Sequence, residues 1–355
     1  MTDKLKDLRQ KIDDVDARLV KLISARARLV REVGEVKGGA AVYRPEREAQ
    51  ILRRMAELNP GPLPDRALQR VYTEIVSACR ALEDELTVAF LGPEGTFSQE
   101  AAIKHFGTQA PLVAAPTIDE VFRRVETGEV GYAVVPVENS TEGAVGRTLD
   151  LLLATQTRVC GEVMLPVRQC LMSKNGRKGS IEKVYSHTQS LAQCQRWLAR
   201  NLPHAEQIAV VSNAEAARLA AKEAAAGAIA SKTAAELYRL RVVARNIEDD
   251  ARNTTRFLVL ASHDAEPSGR DKTSLILATR NVPGAMHELL TPLAENGVSM
   301  SRFESRPART GTWEYIFYVD IEGHSRDPHV ARALRELERK SSLFKNLGSY
   351  PAAVS

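Results

Sequence analysis

The 355-residue sequence predicts a multidomain protein in which an all-α domain, an α/β domain and an α+β domain follow one another. Three observations predict this fold class. Apolar residues repeat at helical spacing throughout residues 1–86, and short apolar runs alternate with helical stretches over residues 87–263. Residues 272–355 then show the order strand, helix, strand, strand, helix, strand. These changes of pattern set the predicted domain boundaries.

The first segment is predicted to contain three helices, at residues 2–37, 45 to about 58, and 65–85. The first helix carries a heptad repeat of apolar side chains at Leu5, Leu8, Ile12, Val15, Leu19, Leu22, Leu29, Val33 and Val36. A helix of this length spans about 50 Å, so its apolar seam cannot be buried within the segment itself. We therefore expect it to pair with a second copy, giving a homodimer or a higher homo-oligomer.

The second segment contains short apolar runs that end in small or polar turns, namely TVAFLG, GYAVVPV, KVYSH, AAAGAIAS and RFLVLA. Helices are predicted between them, at 98–106, 117–127, 189–201 and 213–224. This alternation indicates an α/β fold with a largely parallel sheet, which binds ligands at the carboxyl ends of its strands. The polar clusters GPEGTFS, ENSTEG, SHTQS and NTTRF end these strands or immediately precede them. We expect the clusters to converge on one site.

A polar linker at residues 262–271 leads to the third segment. Its predicted strands are TSLILATR, VSMSRFESR, WEYIFYVDIE and FKNLGSYP, and its predicted helices are GAMHELLTPLAENG and PHVARALRELERK. The resulting βαββαβ order is the ferredoxin-like arrangement.

Composition excludes several function classes. The net charge is only +4 and the basic residues form no run, which argues against nucleic acid as a partner. The N-terminal residues MTDKLKDLRQ lack the apolar core of a secretory signal, and no stretch of about 18 apolar residues could span a membrane. We expect a cytoplasmic protein that does not bind membranes. The four cysteines form no C-x-x-C pair and the seven histidines show no ligand spacing, so we expect neither a metal site nor a cofactor.

One charge stands where the heptad repeat of the first helix requires an apolar residue, at Arg26. Burying an unpaired guanidinium is very costly, so this side chain needs an anionic partner. Further charges lie on or beside the inward faces of the three helices, at Arg9, Lys37, Glu48 and Glu83. They are either solvated flanks and structural ion pairs, or the walls of a pocket for a dianionic ligand.

The residues around these charges resemble the all-helical chorismate mutase domain, through LRQKID near Arg9, SARARLVREVGEVK at 24–37 and RPERE at 44–48. Residues 87–263 resemble prephenate dehydratase through GPEGTFS, VPVENSTEGAV, VYSHTQSLAQC and NTTRF. Residues 272–355 resemble a regulatory ACT domain through PGAM and ESRP. The three occur in this order in the bifunctional chorismate mutase–prephenate dehydratase family of phenylalanine biosynthesis. The resemblance covers almost the whole chain.

The resemblance to the mutase implies a pericyclic conversion of chorismate to prephenate. This reaction needs a compact substrate geometry and hydrogen-bond donors at the breaking ether oxygen. The resemblance implies that Arg26 and Arg9 hold the two carboxylates, with Arg9 reaching across from the other subunit. It also implies that Lys37 donates to the ether oxygen and that Glu48 accepts from the substrate hydroxyl.

Three positions depart from a common pattern of the mutase family. Arg44 stands where an aspartate is frequent, Cys79 where a serine is frequent and Glu83 where a glutamine is frequent. A carboxyl can donate to the ether oxygen only when it is protonated, so mutase turnover is expected to fall as pH rises. The alternative is a mutase half that has lost its activity through these substitutions.

The resemblance to the dehydratase implies that prephenate loses carbon dioxide and water to give phenylpyruvate. It implies that Thr255 is essential near the leaving hydroxyl, as a proton relay or a hydrogen-bond donor. Arg256 would either anchor a substrate carboxylate or brace the lobes, Glu138 is either structural or substrate-binding, and His187 is either an acid or a turn residue. The other expected site residues are Thr96, Ser98, Asn139, Ser140, Thr141, Ser186, Gln189 and Thr254.

The dehydratase resemblance also implies two lobes, as in a periplasmic-binding-protein fold. One lobe would contain residues 88–165 and 245–262, and the other would contain residues 167–243. Closure of the cleft between them would bring the polar clusters together.

The resemblance to an ACT domain implies feedback inhibition by phenylalanine, bound at a subunit interface. The expected effector-binding residues are Gly284, Ala285, Met286, Glu304, Ser305, Arg306 and Pro307. Small residues at the start of the helix allow close backbone approach. A non-catalytic amino-acid sensor is the alternative from a different class, and the ENSTEG and NTTRF clusters favour catalysis over it.

Overall fold

The computed structural model describes residues 2–37, 43–83, 86–280, 282–307 and 315–353. The side chains of Thr2 and Lys37 lie outside this description. A helical part, an α/β part and an α+β part follow one another, as the fold class predicted. Within the described ranges no helix is long and apolar enough to cross a membrane.

The N-terminal part consists of helices α1 (Thr2–Lys37), α2 (Pro45–Glu57) and α3 (Asp65–Arg80). Helix α1 has the predicted bounds, since no proline interrupts its heptads. Its apolar seam is exposed, from 47% at Val33 to 88% at Val36. Helix α3 ends before the predicted residue 85, because the N–H groups of Leu82 and Glu83 bond to carbonyls three residues earlier, at Cys79 and Arg80. Residues 84 and 85 lie outside the described ranges.

The α/β part forms two lobes, each built on its own sheet. The first lobe contains strands β1 (Val88–Leu91), β2 (Leu112–Ala115), β3 (Tyr132–Asn139), β4 (Gly143–Ala144), β5 (Arg158–Pro166) and β11 (Thr254–Ala261), with helices α4 (Phe97–Phe106), α5 (Ile118–Glu126) and α6 (Gly146–Ala154). The second contains β6 (Cys170–Ser173), β7 (Lys183–His187), β8 (Glu206–Val210), β9 (Ala226–Ala230) and β10 (Arg241–Arg245), with α7 (Thr188–Gln193), α8 (Gln195–Asn201), α9 (Asn213–Ala220) and α10 (Lys232–Leu237). The strand orders are β2-β1-β3-β11-β5, with β4 beside β3, and β10-β6-β9-β7-β8.

The expectation of a largely parallel sheet was wrong. Strand β11 runs antiparallel to both β3 and β5, and β6 runs antiparallel to β9 and β10. The chain passes from the first lobe to the second just before β6, and returns to the first lobe just before β11. Each of these strands therefore enters its sheet from the end at which the neighbouring strands leave it. The start of β11 therefore lies beside the end of β3, with Thr255 opposite Asn139 and Arg256 opposite Glu138. This is why NTTRF precedes its strand and ENSTEG follows one.

Several elements of the lobes were not predicted from sequence: strands β2, β4, β5, β6, β8 and β10 and helices α6 and α10. Most are short, and in β8 and β10 no residue is fully buried, so neither run is continuously apolar. The single helix predicted at 189–201 is divided into α7 and α8 at Cys194.

The C-terminal part contains β12 (Asp271–Ala278), α11 (Ala285–Glu295), β13 (Met300–Pro307), β14 (Tyr315–Glu322), α12 (Pro328–Lys340) and β15 (Leu343–Pro351), which is the predicted order. Its sheet has the order β13-β14-β12-β15. One face of the sheet packs on α11 and α12, through residues such as Leu289 and Leu337. The other face shares a hydrophobic core with the first lobe, in which Ile276 and Tyr350 pack with Val135.

Candidate active sites

A cluster of hydrogen bonds around Asn139 lies where the end of β3 meets the start of β11, at the cleft between the two lobes. Its Oδ1 accepts from the backbone N–H groups of Thr141 (3.0 Å) and Glu142 (3.2 Å) and from the Thr141 hydroxyl (2.6 Å). Its Nδ2 donates to Asn253 Oδ1 (2.8 Å) and Thr255 Oγ1 (2.9 Å). The two backbone donors fix the orientation of the amide, so the NH₂ group faces β11.

This arrangement leaves the Thr255 hydroxyl as a donor. Its oxygen accepts from Asn139, so its own proton is directed to a further acceptor. Asn253 is buried and holds the Asn139 amide from the other side; the sequence had placed it in a motif without giving it a role. Reciprocal bonds between Ser140 and Thr254 (2.9 and 3.0 Å) hold the two segments together.

The GPEGTFS segment lies at the start of α4. Thr96 caps this helix by accepting from the Gln99 N–H (3.4 Å), while Ser98 is buried in the first turn. Gly95 has φ +85, a conformation that favours glycine, and a Cβ there would lie 3.3 Å from the Ala234 Cα of the second lobe. Ser231 donates to the Gly95 carbonyl (3.1 Å), so this end of the cleft is bonded across the lobes.

The SHTQS segment requires a correction. Ser186 is fully buried, and its hydroxyl contacts Asn213 Oδ1 (3.0 Å) and the Ile229 carbonyl (2.8 Å). It supports the lobe and is not available to a substrate. His187 caps α7, with its Nδ1 accepting from the Gln189 N–H (3.4 Å).

The second lobe reaches the Asn139 cluster through a residue just after SHTQS, which the sequence analysis did not single out. Among the described residues, Gln193 Nε2 approaches Thr141 Oγ1 at 3.4 Å, from the last turn of α7. Neither His187 nor Gln189 hydrogen-bonds to the Asn139 cluster within the described ranges. Gln193 is one turn beyond Gln189, so only the helix geometry of α7 could have pointed to it.

Arg256 also requires a correction, because it does not face the cleft. It is buried between the first lobe and the C-terminal domain, where Nε lies 2.8 Å from Glu162 Oε2 and Nη2 lies 2.9 Å from the Tyr350 hydroxyl. Its Nη1 donates to Asp320 of β14. Successive side chains of a strand point to opposite faces, so Thr255 reaches the cleft while Arg256 reaches the next domain. Arg256 therefore braces two domains and not the two lobes.

Two further ion pairs join the first lobe to the C-terminal domain. Glu138, beside Asn139, accepts from Arg302 Nε of β13 at 2.7 Å. Arg306 contacts Asp150 Oδ1 (3.2 Å) and the Gly146 carbonyl, so this member of the ESRP motif lies against α6 rather than in an open effector site. The other three members, Glu304, Ser305 and Pro307, belong to the same edge strand.

The PGAM motif begins α11. Gly284 adopts φ +82 immediately before the helix, a conformation that favours glycine, and Ala285 is the first helical residue. Met286 packs against the core beneath.

A second candidate site lies among the N-terminal helices. A cavity of about 380 Å³ is lined by Arg26, Arg47, Gln50, Ile51, Arg54, Met55, Leu58 and Tyr72. Arg26 Nη1 is buried and makes no hydrogen bond to any described residue. Glu83 lies against Gly34 of α1, where a Cβ would meet its Cγ at 3.2 Å. Three guanidiniums in one cavity suit an anionic ligand. The sequence had identified Arg26 but not Arg54.

The predicted mutase residues differ in their surroundings. Glu48 is mostly buried and forms an ion pair with Arg80. Burial raises the pKa of Glu48, and the neighbouring Arg80 and Arg26 oppose that rise. Cys79 is buried. Arg44 is exposed, and its Nη1 lies 3.7 Å from Glu46 Oε1. Arg9 is exposed on α1, and the Lys37 side chain lies outside the described residues.

These features define a multidomain protein with two candidate small-molecule sites, one lined by guanidiniums and one by hydroxyls and amides, and with an α+β module docked on the second. Family models agree with each part: Chorismate mutase type II over residues 8–84, Prephenate dehydratase over residues 88–265 and ACT domain over residues 273–339. The chain belongs to the family of bifunctional chorismate mutase/prephenate dehydratases.

Individual relatives agree with this assignment. A bifunctional chorismate mutase/prephenate dehydratase from Neisseria gonorrhoeae is 54% identical over 98% of this chain and 96% of its own length. The structure of a prephenate dehydratase from Arthrobacter aurescens in complex with L-Phe is 33% identical, covers 75% of this chain and 90% of its own, and has a TM-score of 0.70. A structure described as a novel type of quorum quenching acylase also reaches a TM-score of 0.70, at 30% identity over 75% of this chain and 98% of its own.

Proposed function

We propose that this chain converts chorismate to prephenate in its N-terminal domain and prephenate to phenylpyruvate in its α/β cleft, under feedback inhibition by phenylalanine. The observation that carries the dehydratase half is the Asn139–Thr255 hydrogen bond, which turns a threonine hydroxyl into a directed donor inside a cleft. The Arg26 Nη1 atom at the cavity wall supports the mutase half, because it is buried and has no hydrogen-bond partner among the described residues.

The mutase site is proposed to need two subunits. Arg26 lies in the seam of α1 and Arg9 beside that seam, about 26 Å apart at 1.5 Å per residue, too far for both to hold one small dianion. An antiparallel pair of α1 helices, with its two-fold axis between Ala17 and Arg18, places the partner subunit's Arg9 beside Arg26. The exposed apolar seam supplies the surface for this pairing.

Within that site the remaining roles follow from charge and position. Glu48 is proposed to accept from the substrate hydroxyl, and Lys37 and Glu83 to lie at the ether oxygen, with Lys37 as a donor. Buried Cys79 is proposed to line the site, although its thiol is a weaker donor than a serine hydroxyl. Arg44 is exposed and its pairing with Glu46 suits a supporting role on α2.

In the dehydratase cleft Thr255 is proposed to relay a proton to the ring hydroxyl, which leaves as water, while a proton taken up from solvent restores the Thr255 hydroxyl. The C–C bond to the ring carboxylate breaks in the same reaction and carbon dioxide departs. The electron pair of the broken C–C bond completes the aromatic ring. Asn139, Thr141 and Ser140 hold Thr255 in place, and the free N–H groups at the start of α4, beside Thr96 and Ser98, suit a substrate carboxylate. Gln189 and His187 are proposed to contact the substrate from the second lobe.

A coupled assay tests the proposed function. The purified protein, incubated with chorismate, is expected to form prephenate and then phenylpyruvate, both followed by their absorbance. Prephenate that accumulates without phenylpyruvate would contradict the dehydratase half. No turnover of either chorismate or added prephenate would favour the non-catalytic amino-acid sensor.

Phenylalanine is proposed as the effector because the related Arthrobacter aurescens structure is described as a complex with L-Phe. The effector site is proposed at the start of α11 and along β13. Movement of β13 would be transmitted to the cleft through Arg302 and Glu138, because Glu138 is adjacent to Asn139 on β3. The buried Arg256 contacts give a second route through the neighbouring strand.

Replacement of Arg302 by alanine is expected to weaken feedback inhibition. Allosteric coupling energies are typically 1–3 kcal/mol, so loss of one of the two routes should raise the phenylalanine concentration for half-inhibition by about 5-fold or more. Inhibition of prephenate turnover at increasing phenylalanine measures this shift. Arg335, an exposed cation on α12, offers a matched control as Arg335→Ala. Equal half-inhibition in Arg302→Ala and Arg335→Ala would rule out the route through Arg302.

A further inference from the structure

Arg80 is a buried cation that sits where three parts of the chain meet. It is the last residue of α3 and only 5% exposed. Its Nη1 donates to Glu48 Oε1 of α2, and its Nη2 donates to the Phe106 carbonyl oxygen (2.6 Å) at the end of α4 in the first lobe. One guanidinium thus joins the mutase carboxylate to the dehydratase domain.

The surroundings of Arg80 fix its guanidinium in one position. It stacks on the rings of Tyr43 (5.4 Å) and Phe106 (5.8 Å), contacts that favour a planar cation over an ammonium. The Tyr43 hydroxyl lies 2.5 Å from His105 Nε2. Burial lowers the pKa of His105 to about 3, with Arg80 and Lys104 adding to the effect, so the imidazole remains neutral and adds no second charge here.

Helix α4 orients Arg80 from the dehydratase side. The carbonyl groups at the end of a helix carry partial negative charge, and the Phe106 carbonyl is one of them. Ten residues and about 15 Å earlier, the same helix begins at the Thr96 cap, in the candidate dehydratase site. The group that orients the mutase carboxylate therefore depends on a helix of the other catalytic domain.

We propose that Arg80 is a positioning residue of the mutase reaction, which holds one oxygen of Glu48 so that the other is presented to the hydroxyl of chorismate. This inference rests on the proposed role of Glu48 as the acceptor of that hydroxyl. Arg80 does not touch the substrate. Its own position is set by the Phe106 carbonyl, so the dehydratase domain contributes to the geometry of the mutase site.

The pKa of Glu48 distinguishes this positioning role from a purely structural ion pair. Glu48 faces Arg80 from α3, Arg26 from α1, Glu46 from its own helix and Tyr43 from the preceding segment. Burial raises the pKa of Glu48, and Arg80 is the first of the groups that lower it. Removing Arg80 therefore raises the pKa of Glu48, so the carboxylate becomes protonated at a higher pH. A protonated Glu48 is a poorer acceptor, and the acid limb of mutase activity must move to higher pH.

The test is the pH dependence of mutase kcat/KM in full-length Arg80→Gln and Arg80→Lys. In Arg80→Gln we expect a loss of about 10-fold or more and an acid limb displaced upwards by about one pH unit or more, since a close opposite charge lowers a carboxyl pKa by 1–3 units. Arg80→Lys keeps the positive charge but cannot donate to Glu48 and to the Phe106 carbonyl from two fixed nitrogens. The acid limb of its pH profile should therefore stay near the wild-type position, while mutase kcat/KM still falls. Dehydratase turnover of added prephenate serves as the folding control.

The outcomes separate this inference from the function on which it rests. If Glu48→Gln leaves mutase activity unchanged, the proposed role of Glu48 fails, and with it the role of Arg80. If Glu48→Gln impairs the mutase but Arg80→Gln and Arg80→Lys keep the wild-type acid limb and kcat/KM, the positioning role alone is overturned. If Arg80→Gln does not fold, an Arg80→Lys enzyme with wild-type kcat/KM would also overturn it.

Discussion

Replacing Thr255 by alanine is expected to lower dehydratase turnover by roughly 10²–10⁴-fold, the range that a positioned proton donor contributes. The proposed role rests on the polarity of its hydrogen bond: the Thr255 oxygen accepts from Asn139, so its own proton can be donated to the substrate. The fold should tolerate the change because Thr255 is only partly buried at the start of β11. Steady-state turnover of prephenate measures the loss, and turnover of chorismate by the same preparation should match wild type.

The matched control for this variant is Thr255→Ser, which retains the hydroxyl without the methyl group. We expect it to keep dehydratase turnover within about 10-fold of wild type. A serine variant as inactive as the alanine variant would mean that the hydroxyl is not the working group. An equal loss of mutase and dehydratase activity in Thr255→Ala would point to misfolding.

Placing charge on the α1 seam is expected to dissociate the protein and abolish mutase activity. Leu19 and Leu22 are 49% and 66% exposed in the single chain, so the double change Leu19→Glu and Leu22→Glu should not disturb the fold of one subunit. In a two-fold pair it removes four buried leucines at about 1.5–3 kcal/mol each and buries charge in their place. Dehydratase activity on added prephenate should persist, since its cleft lies within one chain.

Mass measurement in solution and mutase assays check the seam variant together. Val20 is 64% exposed on the same helix but off the seam, so Val20→Glu is the matched control and should remain oligomeric and active. A seam variant that keeps both its wild-type mass and its mutase activity would refute the α1 pairing. Loss of mutase activity without dissociation would mean that the subunits associate through another surface, which would also contradict the α1 pairing.

Local sequence patterns were informative where a single period dominates. The heptads of α1 gave its bounds, and alternating strands and helices gave the order of the C-terminal part. The lobes were harder because short strands such as β8 lack a continuous apolar run, and because strand direction depends on which lobe the chain has just left. That direction overturned the prediction of a largely parallel sheet, although the polar ends of β3 and β11 still converge.

The sequence by itself identified the candidates for the chemistry: Arg26 from its place in an apolar seam, and Thr255 from the resemblance of NTTRF to prephenate dehydratase. Only the tertiary structure decided where each charge is used. It directed Arg256 to the ACT domain, showed that Ser186 is internal, and paired Glu48 with Arg80, a residue the sequence did not single out. The physical reason is that the partner of a buried charge comes from a distant part of the chain, and no local period specifies that partner.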